Sequence, residues 1–268
     1  MGHFMEQRRH LSRAKRIVVK VGTSSLTDER SKLDSRKVGK LVEEAMELRK
    51  NGKELLLVTS GAIGAGIEHL KLEQRPGEMP ILQATAAVGQ GLLMQVYGEY
   101  FGKYGQPIAQ MLLTREDFMD PNRYKNFRNT LATLLKWNVI PIINENDSVE
   151  VEEIRVGDND ILSAFVAKGA QADLLIMLSD VNGLYTSDPN KDRRAELVKT
   201  VEKVTPEIEK LAGRASPRGF GGMVTKVQAA KTASEEGVTV VLANSEEKDV
   251  LKRVLAGEEI GTIFLPTV

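Results

Sequence analysis

Two clusters of carboxylates and amides lie close together in the chain. Asn144-Glu145-Asn146-Asp147 directly follows an apolar run, and Gly157-Asp158-Asn159-Asp160 directly precedes one. Asp and Asn start helices well, because their side-chain oxygens accept the free N–H groups of the first turn. That explains one residue of the second cluster and none of the first. Two lysines also stand out. Lys20 interrupts Ile17–Val21, a run that otherwise reads as a strand buried on both faces, and an ammonium is costly to bury unless it meets an anion. The alternative is an edge strand, where the stem packs and the head reaches water. Its place just before the Gly22 turn favours a strand-end phosphate contact. Lys226 closes the stretch Gly219-Phe220-Gly221-Gly222-Met223-Val224-Thr225-Lys226, in the first turn of a helix where a cation opposes the macrodipole. It is either a solvated surface residue or, beside a glycine-rich anion cradle, a phosphate ligand.

Two lysines and two acidic clusters together suggest phosphoryl transfer between anions, which needs positioning and charge neutralisation more than covalent chemistry. Lysines and Mg2+ would offset repulsion between the phosphates and the incoming group. His3, His10 and His69 are the only histidines and lie outside every candidate loop, which disfavours a histidine base. A carboxylate acceptor needs no base, since a pKa of about 4.3 leaves it ionised at neutral pH. An Asp acting as base for a hydroxyl acceptor stays open. With no cysteine, disulfides, thiolate metal sites and a Cys nucleophile are excluded. Neither GxxxxGK[ST] nor GxGxxG occurs, so this is neither a P-loop enzyme nor a carrier of the dinucleotide fingerprint.

The elements that must position these residues alternate along the chain. Ile17–Val21, Glu54–Thr59, Pro107–Leu113, Val139–Ile143, Leu174–Leu178 and Val238–Leu242 read as strands. Ser35–Lys50, the run after Ser60-Gly61-Ala62, Asp160–Lys168 and Val224–Glu236 read as helices. Alternation of this kind predicts βαβ units, a mainly parallel sheet and helices on both faces, a three-layer α/β sandwich. Ligands in such sheets sit at the carboxyl ends of the strands, where the loops rich in Gly, Ser, Asn and Asp all fall. A length of 268 residues allows one or two domains. Lys plus Arg and Asp plus Glu both total 37, and aromatics make up 5%, so nothing predicts a nucleic-acid surface. Residues 79–98 carry no charge, but three glutamines, three glycines and a proline make them too polar for a lipid-facing span. They read as a buried or subunit-interface helix. Residues 1–14 are basic without a secretory apolar core and read as an exposed leader of a cytoplasmic protein.

The motifs VVKVGTSSLT (18–27), LLVTSGAIGAGIEHL (56–70), PIINENDSV (141–149), VGDNDILSAFVA (156–167), LSDVNGLYTSDP (178–189) and GFGGMVTKVQAA (219–230) resemble the glutamate 5-kinases of the amino-acid kinase superfamily. The likeness runs from about Arg16 to the C-terminus and implies one amino-acid kinase domain over 15–268, its N-terminal part for glutamate and its C-terminal part for ATP. It implies ATP-dependent phosphorylation of the γ-carboxyl of L-glutamate, the first step of proline synthesis, with Mg2+ carried by ATP and no direct protein ligand. Carried over, Lys20 and Lys226 contact the transferred phosphate and Asp160 holds both lysines. Ser179, Asp180, Phe220, Gly221, Gly222, Met223, Val224, Thr225 and Lys226 line the nucleotide site with Lys20. Ser60, Gly61, Ala62, Asn144, Asp147, Asp158 and Asn159 bind glutamate. Proline as feedback inhibitor, a homo-oligomer (dimer or tetramer) and a hand-off of product to glutamyl-phosphate reductase are further implications. Phe220 stands where the family commonly has a small polar residue, and the chain ends too early for the C-terminal PUA domain of many bacterial members. Two rivals stand beside this reading: an acyl kinase of the acetylglutamate kinase type, and a non-catalytic nucleotide or amino-acid sensor. The ammonium of glutamate calls for a carboxylate such as Asp147, which an acetylated amine does not. Lys20, Asp160 and Lys226 together speak against a sensor.

Overall fold

Leucine, isoleucine and valine runs bounded by turns form the strands of one eight-stranded sheet, seen in a computed structural model that describes residues 8–149, 159–189, 191–213 and 222–267. Strands β1 (Arg16–Val21), β2 (Glu54–Val58), β3 (Ile108–Leu113), β4 (Ile140–Glu145), β5 (Leu174–Ser179), β6 (Thr200–Val201), β7 (Thr239–Asn244) and β8 (Thr262–Phe264) lie in the order β3-β4-β2-β1-β5-β7-β8-β6. All pairings are parallel except β7 with β8. The helices are α1 (Ser35–Lys50), α2 (Ala62–His69), α3 (Met79–Gly102), α4 (Glu116–Met119), α5 (Pro121–Lys136), α6 (Asn159–Ala170), α7 (Pro206–Leu211), α8 (Met223–Ser234) and α9 (Val250–Leu255). β6 and β8 have two and three residues, too few to show a period of two in the sequence.

Period-two alternation divides the core between the two faces of the sheet. Ile17, Val19 and Val21 of β1 pack with α1, α3 and α9, whereas Val18 packs with α5, α6 and α8. Lys20 shares the face of Val18, so its side chain points into the layer that holds α6 and α8. β1 is central, pairing Lys20 with Val58 of β2 and with Met177 of β5. The edge-strand alternative for Lys20 therefore fails, and its ammonium needs an anion inside the fold.

The uncharged segment forms the first part of α3, which buries Leu93, Tyr97 and Phe101 against α1 while Ile81 and Val88 remain exposed. Among the described residues no helix is long and apolar enough to cross a membrane. The expected exposed leader needs correction from Arg8 onward. Arg8, Leu11 and Ala14 are buried, and the Arg8 guanidinium donates to the carbonyls of Glu258, Ile260, Lys199 and Gly261 at 2.7–3.0 Å. Five N–H donors on one planar group can satisfy that many carbonyls, which is why an arginine tolerates such burial.

Candidate active site

β1 ends at Val21, and the Gly22 N–H donates to Leu178 O of β5, so the first turn runs beside the end of the neighbouring strand. Lys20 is 3% exposed one residue before the strand end. Asp160, fully buried in the first turn of α6, sits where a carboxylate suits the positive end of the helix dipole. Its Oδ1 is ion-paired with Lys20 Nζ, and its Oδ2 lies 3.1 Å from Lys226 Nζ in the first turn of α8. Thr225 Oγ1 lies 3.1 Å from the same Oδ2 and 2.8 Å from Gly222 O, and its one hydrogen is shared between these two acceptors. One carboxylate thus holds two ammonium groups that would otherwise repel each other, and holds them facing the same place. Before α8, a Cβ on Gly222 would meet no atom of the other described residues within 4 Å. Backbone N–H groups at a helix N-terminus and two lysines are groups that can hold a phosphate.

Next to this cluster the ends of β2 and β4 meet the start of α6. Asn159 Nδ2 donates to Thr59 O, Ser60 Oγ and Asn144 Oδ1 at 2.8, 2.9 and 3.0 Å. Gly61 has φ 102°, a left-handed conformation that glycine adopts without strain, and it turns the chain from β2 into α2 at Ala62. Asn144, 2% exposed, donates to Gln90 Oε1 of α3 at 2.9 Å. Thr59 Oγ1 shares a 2.8 Å hydrogen bond with Tyr97 Oη, whose pKa burial pushes far above its usual value, keeping the phenol protonated. Asp147 lines a cavity of about 230 Å³ with Gln90, Gln110, Glu145 and Asn146. Arg75, in the segment between α2 and α3, feels the charge of Asp147: desolvation lowers its pKa and Asp147 raises it.

The family model described as the amino acid kinase family matches residues 15–244. A glutamate 5-kinase of Caldanaerobacter subterraneus subsp. tengcongensis is 53% identical over 252 residues, 94% of this chain and 68% of that one. A glutamate 5-kinase of Symbiobacterium thermophilum is 50% identical over 258 residues, covering 96% of this chain and 98% of that protein. The chain belongs to the amino acid kinase family, among the glutamate 5-kinases. A carbamate kinase from Giardia lamblia bound to AMP-PNP has the same fold, with a TM-score of 0.67 over 95% of this chain and 99% of that one, at 17% sequence identity.

For a glutamate 5-kinase of this architecture, the structure brings together Lys20, Asp160, Thr225 and Lys226 as one cluster and Ser60, Asn144 and Asn159 as a second beside it. Ser179 ends β5, is 3% exposed and donates to Asp180 Oδ1 at 3.0 Å, while Asp180 itself faces solvent. Met223 and Val224 open α8, both half-buried. Asp158, Phe220 and Gly221 lie outside the described residues. Sequence reading missed Thr59, Gln90, Tyr97 and Gln110. The only signal was the glutamines that made residues 79–98 too polar for a membrane span.

Proposed function

We infer that this chain phosphorylates the γ-carboxylate of L-glutamate with ATP, giving L-glutamyl 5-phosphate and ADP, the first step of proline biosynthesis. The observation that carries the chemistry is Asp160 holding the Lys20 and Lys226 ammonium groups, at the mouth of the helix whose first residue is tied to Ser60 and Asn144. A γ-carboxylate oxygen attacks the γ-phosphorus of ATP, the bond from that phosphorus to the bridging oxygen breaks, and ADP leaves with the electron pair. Lys20 and Lys226 neutralise charge on the transferring group, where fixed charges act without reorganising. The acceptor is already ionised, so no residue need take a proton. Mg2+ suits the hard oxygens of the triphosphate and would supply further charge neutralisation there, because the Asp160 carboxylate is engaged by the two lysines.

Ser60, Gly61, Ala62, Asn144, Asp147, Asp158 and Asn159 form the glutamate side in this reading, with Asp147 opposite the α-ammonium. Ser179, Asp180 and Phe220 to Lys226 form the nucleotide side. Proline shares the five-carbon skeleton, the α-carboxylate and the cationic amine but offers no γ-carboxylate, so it would occupy the glutamate side without reacting. The exposed Ile81 and Val88 of α3 support a homo-oligomer, which sedimentation of the parent and a Val88→Asp variant would test. A coupled assay of ATP turnover with L-glutamate, N-acetylglutamate, L-aspartate and UMP tests the main conclusion. Turnover confined to L-glutamate is expected, and equal or greater turnover with any of the others would overturn it.

A further inference from the structure

A run of four amide side chains leads from Gln110 on β3 through Gln90 of α3 and Asn144 to Asn159 at the start of α6, and its donor–acceptor polarity is fixed at two places by backbone groups. A backbone N–H can only donate, so the Glu145 N–H on Asn144 Oδ1 (2.9 Å) turns the oxygen of that amide toward Glu145 and its nitrogen toward Gln90 Oε1. Gln90 Nε2 then faces Gln110 Oε1 at 3.2 Å. At the other end a carbonyl can only accept, so Thr59 O and Asn144 Oδ1 together require Asn159 to present its nitrogen to them. Asn159 Oδ1 must face the other way. It is buried and has no hydrogen-bond partner among the described residues. A buried acceptor without a partner is costly, and the cost is relieved when a ligand brings a donor. With both carboxylates ionised at neutral pH, the only donor of free L-glutamate is its α-ammonium.

We propose that Gln90 of α3, acting through Asn144, is a positioning residue that keeps Asn159 Oδ1 turned toward the amino group of the substrate. This inference rests on the L-glutamate reading above. Gln90 needs no contact with substrate for this. Its Oε1 gives Asn144 Nδ2 an acceptor; without it the Glu145 N–H still sets which way the amide faces, but the side chain loses the contact that holds it in position. An Asn144 free to shift would draw its oxygen away from Asn159 Nδ2, leaving Thr59 O and Ser60 Oγ to hold that amide.

The test is Gln90→Met, which keeps length and removes both hydrogen bonds at a half-buried helical position. The glutamate KM should rise about tenfold, the scale of one lost hydrogen bond in a buried network, with kcat and the ATP KM within about twofold of the parent. Because the effect runs through Asn144, Gln90→Met should add nothing to the KM of an Asn144→Ala chain. A glutamate KM within about twofold of the parent, or effects that multiply fully in the double variant, would overturn the positioning role. A matching rise in the ATP KM would mark a general loosening of the fold and overturn it too. A parent chain that turns over ATP but not L-glutamate would instead overturn the underlying reading and this proposal with it.

Discussion

In the proposed reaction Lys226 and Asp147 bear on different halves, and substitution should separate them. The Lys226 ammonium is held against Asp160 at the N-terminus of α8, where its charge matters most as negative charge spreads over the transferring phosphoryl group. Lys226→Ala should lower kcat by about a thousandfold, the lower end of what a cation on the transferred phosphate supplies. Glutamate affinity by calorimetry should stay close to that of the parent. Near-normal kcat would remove Lys226 from the chemistry. Asp147 lines the cavity that Gln90, Gln110 and Glu145 also border. Asp147→Asn keeps shape and removes charge, so the glutamate KM should rise tenfold or more, about the value of one charge-assisted hydrogen bond, while the ATP KM holds. An unchanged glutamate KM would assign the ammonium to another residue.

At the scale of elements, α2 and α3 pack backbone to backbone just behind the Ser60–Ala62 turn. A Cβ on Gly89 would sit 1.8 Å from Ala62 O and 2.4 Å from Gly66 N, whereas one on Gly91 would meet nothing within 4 Å among the described residues. Gly89→Ala must therefore push the start of α2 away, an overpacking cost of about 1–3 kcal/mol that moves the glutamate side. Gly91→Ala should instead stabilise by up to about 1 kcal/mol through helix propensity. Equal melting temperatures for the two variants would contradict this packing. A second element contact is sensitive to pH. Glu44 of α1 accepts the Leu251 N–H at 3.0 Å and so caps α9, whose own N-cap Asp249 makes no side-chain cap bond. Burial raises the Glu44 pKa above 4.5 despite that hydrogen bond. A carboxyl raised on folding binds more protons in the native state, so stability is lost as pH rises from the unfolded pKa through the folded one. Glu44→Gln retains an acceptor and cannot ionise. Its melting temperature should match the parent near pH 4.5 and exceed it at pH 8; a gain that does not grow with pH would refute the buried-charge account.

For the whole molecule, the proposed function puts the two substrates on either side of β1 in the strand order. In that proposal the ends of β2 and β4 with α2 would take glutamate, and the ends of β5 and β7 with α8 would take the nucleotide. Lys20 on β1 and Asp160 at the start of α6 stand between them. A product-like amino acid would then compete with glutamate and leave ATP binding alone. Proline inhibition should be relieved by high glutamate, be weakened by Asp147→Asn, and change when residues 70–78, which carry Arg75, are shortened. Inhibition that glutamate cannot relieve would point to a separate pocket.

The sequence by itself determined the order of elements, because apolar runs with turn residues at their ends allow few alternatives. It also pointed to the strand-end loops, because an ammonium in an apolar strand and carboxylates at a helix mouth call for anions and donors. The motifs went further and carried the family. Tertiary structure alone decided that Lys20 lies in a central strand, since edge and centre depend on which strands pair. It placed Arg8 inside the fold, where four carbonyls from the C-terminal part of the chain gather around it. It also joined Gln90 to Asn159 through Asn144, a chain of hydrogen bonds between residues 54 and 15 positions apart. Local propensity carries no record of such contacts. They arise only when the sheet brings strand ends together and α3 crosses behind them.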